Sequence, residues 1–553
     1  MSFQNPNGYC TADITGLGRV QGRQYPNRVR QFRGIPYATL SKRWTRSCLK
    51  TTWEPGVLDA TQYGPSCPNP SFDMDPSDPD PMVPVPAAAH HTWPLTDERH
   101  ALVLNITAPP TTDKPLPVFV YIHGGSLLFG GSHLPIFDCV NLVTHSMALG
   151  KPMVAVTINY RVGLGGFLAS KCIKDELAAD GYAGCGNFGL TDQQVAFDWI
   201  QRYISFFGGD PDNVTAVGES AGGISVSHQL LSARPPVFHR AICMSGLACS
   251  IPAWTLEEHE KQFQATCAHF GIDSTQVNAL ESLRGVSEQD VADASAAIFG
   301  LPLGSGTGNP CYDGWFHAVD PRVLHGAPTW LRGYMLGDTY HEGIIFHESI
   351  LDDDYSFICS TLAQHLESAE QAEHVLTLYD IFPNLSDDTL VSRLEHLAGD
   401  LVFKIPNYAT AASSKVLQEQ GQLFKYHFDQ RSRLDNYLKN TAYHAHELLY
   451  LFLNLNNQLD SAEKVMAYAF AEAWIKFANG ESPWPTGATD WMVWGQNSNF
   501  GVQTEEEDEQ IRRYSRFKAI LSLGDGHTWL KLLRGVDDIV NKRMRTGVSK
   551  AKA

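Results

Sequence analysis

No stretch of the chain approaches the roughly eighteen uninterrupted apolar residues that a membrane-spanning helix needs, so no integral membrane segment is expected. Positive charge is also scarce. Asp and Glu outnumber Lys and Arg 60 to 42, a formal charge of −18, which argues against nucleic acid or an anionic membrane surface as a partner. The ending "RMRTGVSKAKA" is mildly basic but short, and reads as a frayed tail. C-x-x-C pairs are missing, and the 11 dispersed cysteines fit neither a zinc site nor a dense disulfide framework. The N-terminal "MSFQNPNGYCTADITGLG" lacks a charged segment leading into an apolar one, so no signal peptide is visible and a cytoplasmic protein is expected. There is no internal repeat.

What is present is an ordinary globular composition, 43% hydrophobic and 18% charged, rich in glycine (46) and proline (31). Over 553 residues this favours a sheet-based enzyme in one large domain, 1–553, over a helical bundle. Continuous apolar runs at 116–125, 152–161 and 213–220 read as buried parallel strands, and 240–246, 333–339 and 422–428 continue the series. Between the second and third lies a helical pattern opening at Thr191 as N-cap candidate. The repeated strand–helix–strand rhythm predicts an α/β fold, a large mostly parallel sheet with helices on both faces. Residues 252–330 and 348–415 read as helical insertions forming a lid over one end of the sheet, and 68–95 as a proline-rich acidic surface loop.

The stretch "GESAG" (218–222) follows a strand run directly and precedes a helix-compatible segment, the setting of a strained turn that presents Ser220 as a nucleophile. A serine hydroxyl needs a base, and the base needs an orienting carboxylate. Asp338 and Glu342 both lie on the loop after the fifth strand, and the pattern alone does not choose between them. Of the histidines that come after that loop, His444 and His446 sit on the loop after the sixth strand. Backbone donors for an oxyanion are expected from Ala221 and from the glycine turn in "YIHGGSLLFGGS" (121–132).

These motifs together resemble the type-B carboxylesterases and lipases, which include the cholinesterases and the neuroligins; the chain is most like intracellular fungal members. "FRGIPYA" (32–38), "INYRVGLGGF" (158–167), the block at 186–223 and "AWIKFANGESPWP" (473–485) match that family's blocks in order. The resemblance implies the α/β-hydrolase fold and selects Glu342, directly before Gly343, as the acid. It likewise selects His444 as base, with Ala445 in a place usually held by glycine. The oxyanion donors it implies are the N–H groups of Gly125, Ser126 and Ala221, with Glu219 and Ser245 beside the triad. Ser126 also departs from the family's glycine. Cys67 stands where the family's first disulfide cysteine belongs, but the partner place holds Ala101, which again favours an intracellular enzyme.

The expected activity is therefore hydrolysis of a bulky apolar ester or lactone through an acyl-enzyme, with no metal and no organic cofactor. One alternative keeps the triad but passes the acyl group to an alcohol, or cyclises a secondary metabolite. Another is a non-catalytic binding protein of the neuroligin kind. Oligomeric state is not readable from the sequence.

Overall fold

The computed structural model describes residues 4–53, 56–71, 91–111, 113–234, 237–298, 308–351, 353–524 and 528–540. The basic tail at 543–553 and most of the 68–95 loop lie outside them. Thirteen strands form one large sheet. In chain order they are β1 (Gly8–Ile14), β2 (Gly18–Gln24), β3 (Arg30–Pro36), β4 (Val57–Asp59), β5 (Val103–Ala108), β6 (Leu116–Ile122) and β7 (Val154–Ile158). The remainder are β8 (Gly209–Glu219), β9 (Arg240–Met244), β10 (Tyr334–Thr339), β11 (Leu423–Phe428), β12 (Asp490–Trp494) and β13 (Phe500–Thr504). Their spatial order is β1-β2-β3-β5-β7-β6-β8-β9-β10-β11-β12-β13, with β4 on β2.

From β7 through β12 every neighbour is parallel, whereas β1, β2, β3, β5 and β13 pair antiparallel at the flanks. The six apolar runs of the sequence are the heart of the parallel part. Their residues are buried from end to end in β7, β10 and β11, because helices cover both faces. The flanking strands are poorer in apolar residues and half exposed, as in β1, so they carry no comparable sequence signal.

Seven helices bear on the site: α1 (Phe188–Tyr203), α2 (Ala221–Leu230), α3 (Leu256–His269), α4 (Tyr355–His365), α5 (Asp387–Gly399), α6 (Ser461–Ala478) and α7 (Thr528–Val540). Helix α1 starts before the expected Thr191. Its N-cap is Asn187, at φ 53°, which commits its side chain to the backbone of Cys311 instead of to the helix. Thr191 lies inside the first turns, with its hydroxyl donating to the Phe188 carbonyl. The 252–330 segment contains α3, and 348–415 contains α4 and α5, with a π-helical turn at Asp400–Lys404 after α5. No helix among the described residues is long and apolar enough to cross a membrane. All eleven cysteines are free thiols.

Helix α1 is tied to the sheet by a buried bidentate pair. Arg161, just past β7, donates from Nε to Asp192 Oδ2 (2.7 Å) and from Nη2 to Oδ1 (2.8 Å), and both side chains are almost wholly buried. Ser47 Oγ donates to the same carboxylate at 2.6 Å. Removing one member strands the other in the core, so Arg161→Met is expected to lower unfolding free energy by about 3–5 kcal/mol, measured by denaturant midpoint.

Candidate active site

Strand β8 ends in Glu219 and α2 begins at Ala221, which leaves Ser220 alone to reverse the chain. It does so at φ 54°, ψ −126°, a conformation that costs of order 1–3 kcal/mol and persists only where the surroundings enforce it. They do: a Cβ on Gly218 would lie 2.2 Å from the Gly222 carbonyl carbon, and one on Gly222 would lie 2.0 Å from the Ile122 carbonyl oxygen. Backbone packs on backbone there, and only glycine fits.

The glycine turn after β6 lies directly against this bend. A Cβ on Gly124 would come within 3.2 Å of Ser220 Cβ. Among the described residues the N–H groups of Gly125 and Ser126 have no acceptor, and Ala221 is the first residue of α2, where helical geometry leaves the N–H unpaired. The three expected donors therefore surround Ser220. Ser126 stands at φ 56° and Ala445 at φ 70°, so at both places where the chain departs from the family's glycine it holds the left-handed conformation that glycine adopts without strain. Asn69 braces the turn from outside, its Oδ1 accepting from Gly130 N–H at 2.6 Å. Nothing local in the sequence around Asn69 marks that role.

Glu342 and His444 are in contact. His444 Nδ1 donates to Glu342 Oε2 at 2.5 Å, while Oε1 accepts from Ser245 Oγ (2.7 Å) and from Thr339 N–H (2.6 Å). Each carboxylate oxygen is thus oriented, and Ser245 acts on the acid. Asp338 serves elsewhere: it pairs with His427 Nδ1 at 2.8 Å and with Arg512 Nη1 at 3.3 Å, inside a buried network with Tyr514. His446 also faces away, with Nδ1 3.1 Å from the Gln430 carbonyl and its ring stacked on Tyr443. Burial pushes its pKa down to about 3.

His444 Nε2 makes no hydrogen bond among the described residues, so no bond joins it to Ser220 Oγ; it lies 3.2 Å from Glu219 Oε1. Burial alone would lower the imidazole pKa. The Glu219 and Glu342 carboxylates, with a smaller contribution from Glu447, outweigh it and raise the value to about 9. The sequence patterns do not single out Glu447. It is fully buried, and burial together with the charges of Glu219 and Glu342 holds its pKa well above the usual carboxylate range. Its H-x-x-E spacing from His444 is the one signal that points to it.

Ser220 and Ser126 open into a cavity of about 700 Å³. Ile224, Trp254, Phe346, Val402 and Phe403 give it apolar walls, and the Phe403 ring packs 4.8 Å from that of His444. Both the 252–330 and the 348–415 segments contribute to its walls, and so does α7. No group of three or more His, Cys, Asp or Glu among the described residues is placed to hold a metal ion.

Known proteins resemble this chain over most of its length. The Carboxylesterase family matches residues 11–519. Para-nitrobenzyl esterase of Bacillus subtilis (strain 168) is 30% identical over 528 residues, 90% of this chain and 97% of that protein. Lipase 3 of Yarrowia lipolytica is 28% identical over 514 residues, covering 90% and 93%. A solved PNB esterase structure superposes with a TM-score of 0.71 at 27% identity, covering 92% of this chain and 99% of that one.

Two outcomes test the site. By NMR, His444 is expected to titrate above the ordinary 6.5, and Glu219→Gln, which removes the nearest anion to Nε2, to move the midpoint down. The stability contributed by this raised pKa is full below pH 6.5 and is lost as pH rises through about 9. Separately, Ser126→Gly relieves a left-handed serine at an exposed position and is expected to raise unfolding free energy by about 1 kcal/mol in denaturation experiments.

Proposed function

The chain belongs to the carboxylesterase family and is a serine carboxylesterase with the α/β-hydrolase fold, and from that premise we propose that it hydrolyses bulky, largely apolar esters or lactones with Ser220 as nucleophile, His444 as base and Glu342 as orienting acid. The observation that carries the reading is the convergence of Ser220, the Glu342–His444 pair and three unpaired N–H groups at one end of an apolar cavity.

Ser220 Oγ attacks the ester carbonyl while His444 Nε2 takes its proton. The carbonyl oxygen becomes an oxyanion and is held by the N–H groups of Gly125, Ser126 and Ala221, each donor being worth about 10²–10³ in rate. Collapse breaks the C–O bond, and His444 returns the proton to the leaving alkoxide as the alcohol departs. His444 next takes a proton from water, and the resulting hydroxide attacks the acyl carbon. The acid leaves and Ser220 regains its proton. Glu342 keeps Nδ1 protonated and aims Nε2 at these transfers. The apolar walls and the cavity volume support a large, weakly polar substrate. Helices α4 and α5, with the 252–330 segment, are the parts we assign to a lid. The eleven free thiols support placing the enzyme in a reducing compartment.

The test is covalent. A serine-directed organophosphonate is expected to form one adduct, mapped to Ser220, and Ser220→Ala is expected to lower kcat/KM on p-nitrophenyl esters by about 10³-fold or more. Labelling at another residue, or full activity in Ser220→Ala, overturns the assignment. Product analysis with added alcohols separates hydrolysis from acyl transfer, since transfer predicts new esters at the expense of free acid.

A further inference from the structure

The cavity has one wall that the family match does not reach. That match ends at residue 519, whereas α7 runs from Thr528 to Val540 and lines the cavity along one side. The helix is seated firmly. Trp529, Leu532, Leu533, Val536 and Ile539 are buried, and Asp538 Oδ2 lies 2.7 Å from His365 Nε2 at the end of α4. Helix α7 thus adds to the cavity a wall outside the residues that the family match covers.

The charges around the cavity divide into committed and uncommitted groups. Asp320 is held by Arg322 through two hydrogen bonds (2.9 and 2.7 Å), so these two cancel. Glu258 accepts from the Thr255 N–H and hydroxyl as part of its own helix cap. Asp538 is engaged by His365, and Asp537 also has a partner. Lys531 and Arg534 line the same cavity, yet neither has a hydrogen bond or ion pair among the described residues. Three residues apart on a helix, they share one face and can converge on a single group. Among the described residues Lys531, half-buried, and Arg534, exposed, are therefore the lining cations without a partner.

We propose that Lys531 and Arg534 recognise a carboxylate carried by the substrate at the end remote from its ester bond. The apolar walls between Ser220 and α7 receive the intervening chain, and the two cations fix its length and polarity. Arg534 supplies a planar fork suited to a carboxylate and Lys531 a point charge beside it. This substrate class deepens the hydrolytic reading and rests on it.

The experiment compares p-nitrophenyl hemisuberate, whose far end is a carboxylate, with its terminal-amide counterpart of equal length. The unaltered enzyme is expected to favour the carboxylate by about tenfold or more in kcat/KM, the difference lying in KM, and added salt is expected to shrink that preference. The ratio is expected to fall about tenfold in Lys531→Gln/Arg534→Gln and to invert in Lys531→Glu/Arg534→Glu. A ratio at or below one in the unaltered enzyme overturns the proposal while leaving ester hydrolysis standing; so does a ratio that neither salt nor the substitutions change. The salt titration needs no variant, so a misfolded variant does not rescue the idea. If the unaltered enzyme cleaves neither ester, the hydrolytic reading itself fails.

Discussion

The molecule is organised around a place where peptide backbones touch. Ser220 occupies a conformation that no L-residue adopts freely, and it stays there because Gly218 and Gly222 let β8, α2 and the end of β6 approach closer than any side chain allows. The rest of the site depends on that bend. Strands β6, β8, β9, β10 and β11 are parallel neighbours, so their C-terminal ends lie along one edge in the order of the sheet. The glycine turn follows β6, Ser220 follows β8, Ser245 follows β9, Glu342 follows β10 and His444 follows β11. Residues more than two hundred positions apart in sequence become neighbours through strand pairing.

Parts of this are legible without a structure because they are local. Unbroken apolar runs mark the parallel strands, and the glycine spacing marks the bend at Ser220. The choice between Asp338 and Glu342 is not local. Both sit at the end of β10, and what separates them is that Asp338 meets His427 and Arg512, brought from other elements, while Glu342 meets His444. The start of α1 departs from the sequence pattern for a related reason: Asn187 takes a left-handed conformation that its hydrogen bonds to Cys311 sustain across more than a hundred residues. Helix α7 has a clear apolar stripe, Trp529, Leu532, Leu533 and Val536, but no periodicity reveals that Leu533 and Val536, with Lys531 and Arg534, meet the cavity.

The electrostatic design places three carboxyl groups around one imidazole. Burial and the neighbouring charges of Glu219 and Glu342 hold the Glu447 pKa well above the usual carboxylate range. The Glu219 and Glu342 carboxylates favour the imidazolium, the form that the proposed attack by Ser220 generates. The raised resting pKa is the ground-state cost of that arrangement. The same field that steadies the charged intermediate also reduces the fraction of free base at neutral pH.

The seating of α7 has a temporal consequence. Ribosomes deliver the chain from its N-terminus, and domains begin to organise as they emerge. Ser220, Glu342 and His444 all precede α7, as do all thirteen strands, so the sheet and the triad can assemble while the wall carrying Lys531 and Arg534 is still being made. Among the described elements α7 is the last to be synthesised, so chain order allows the cavity to be closed only after the sheet is complete.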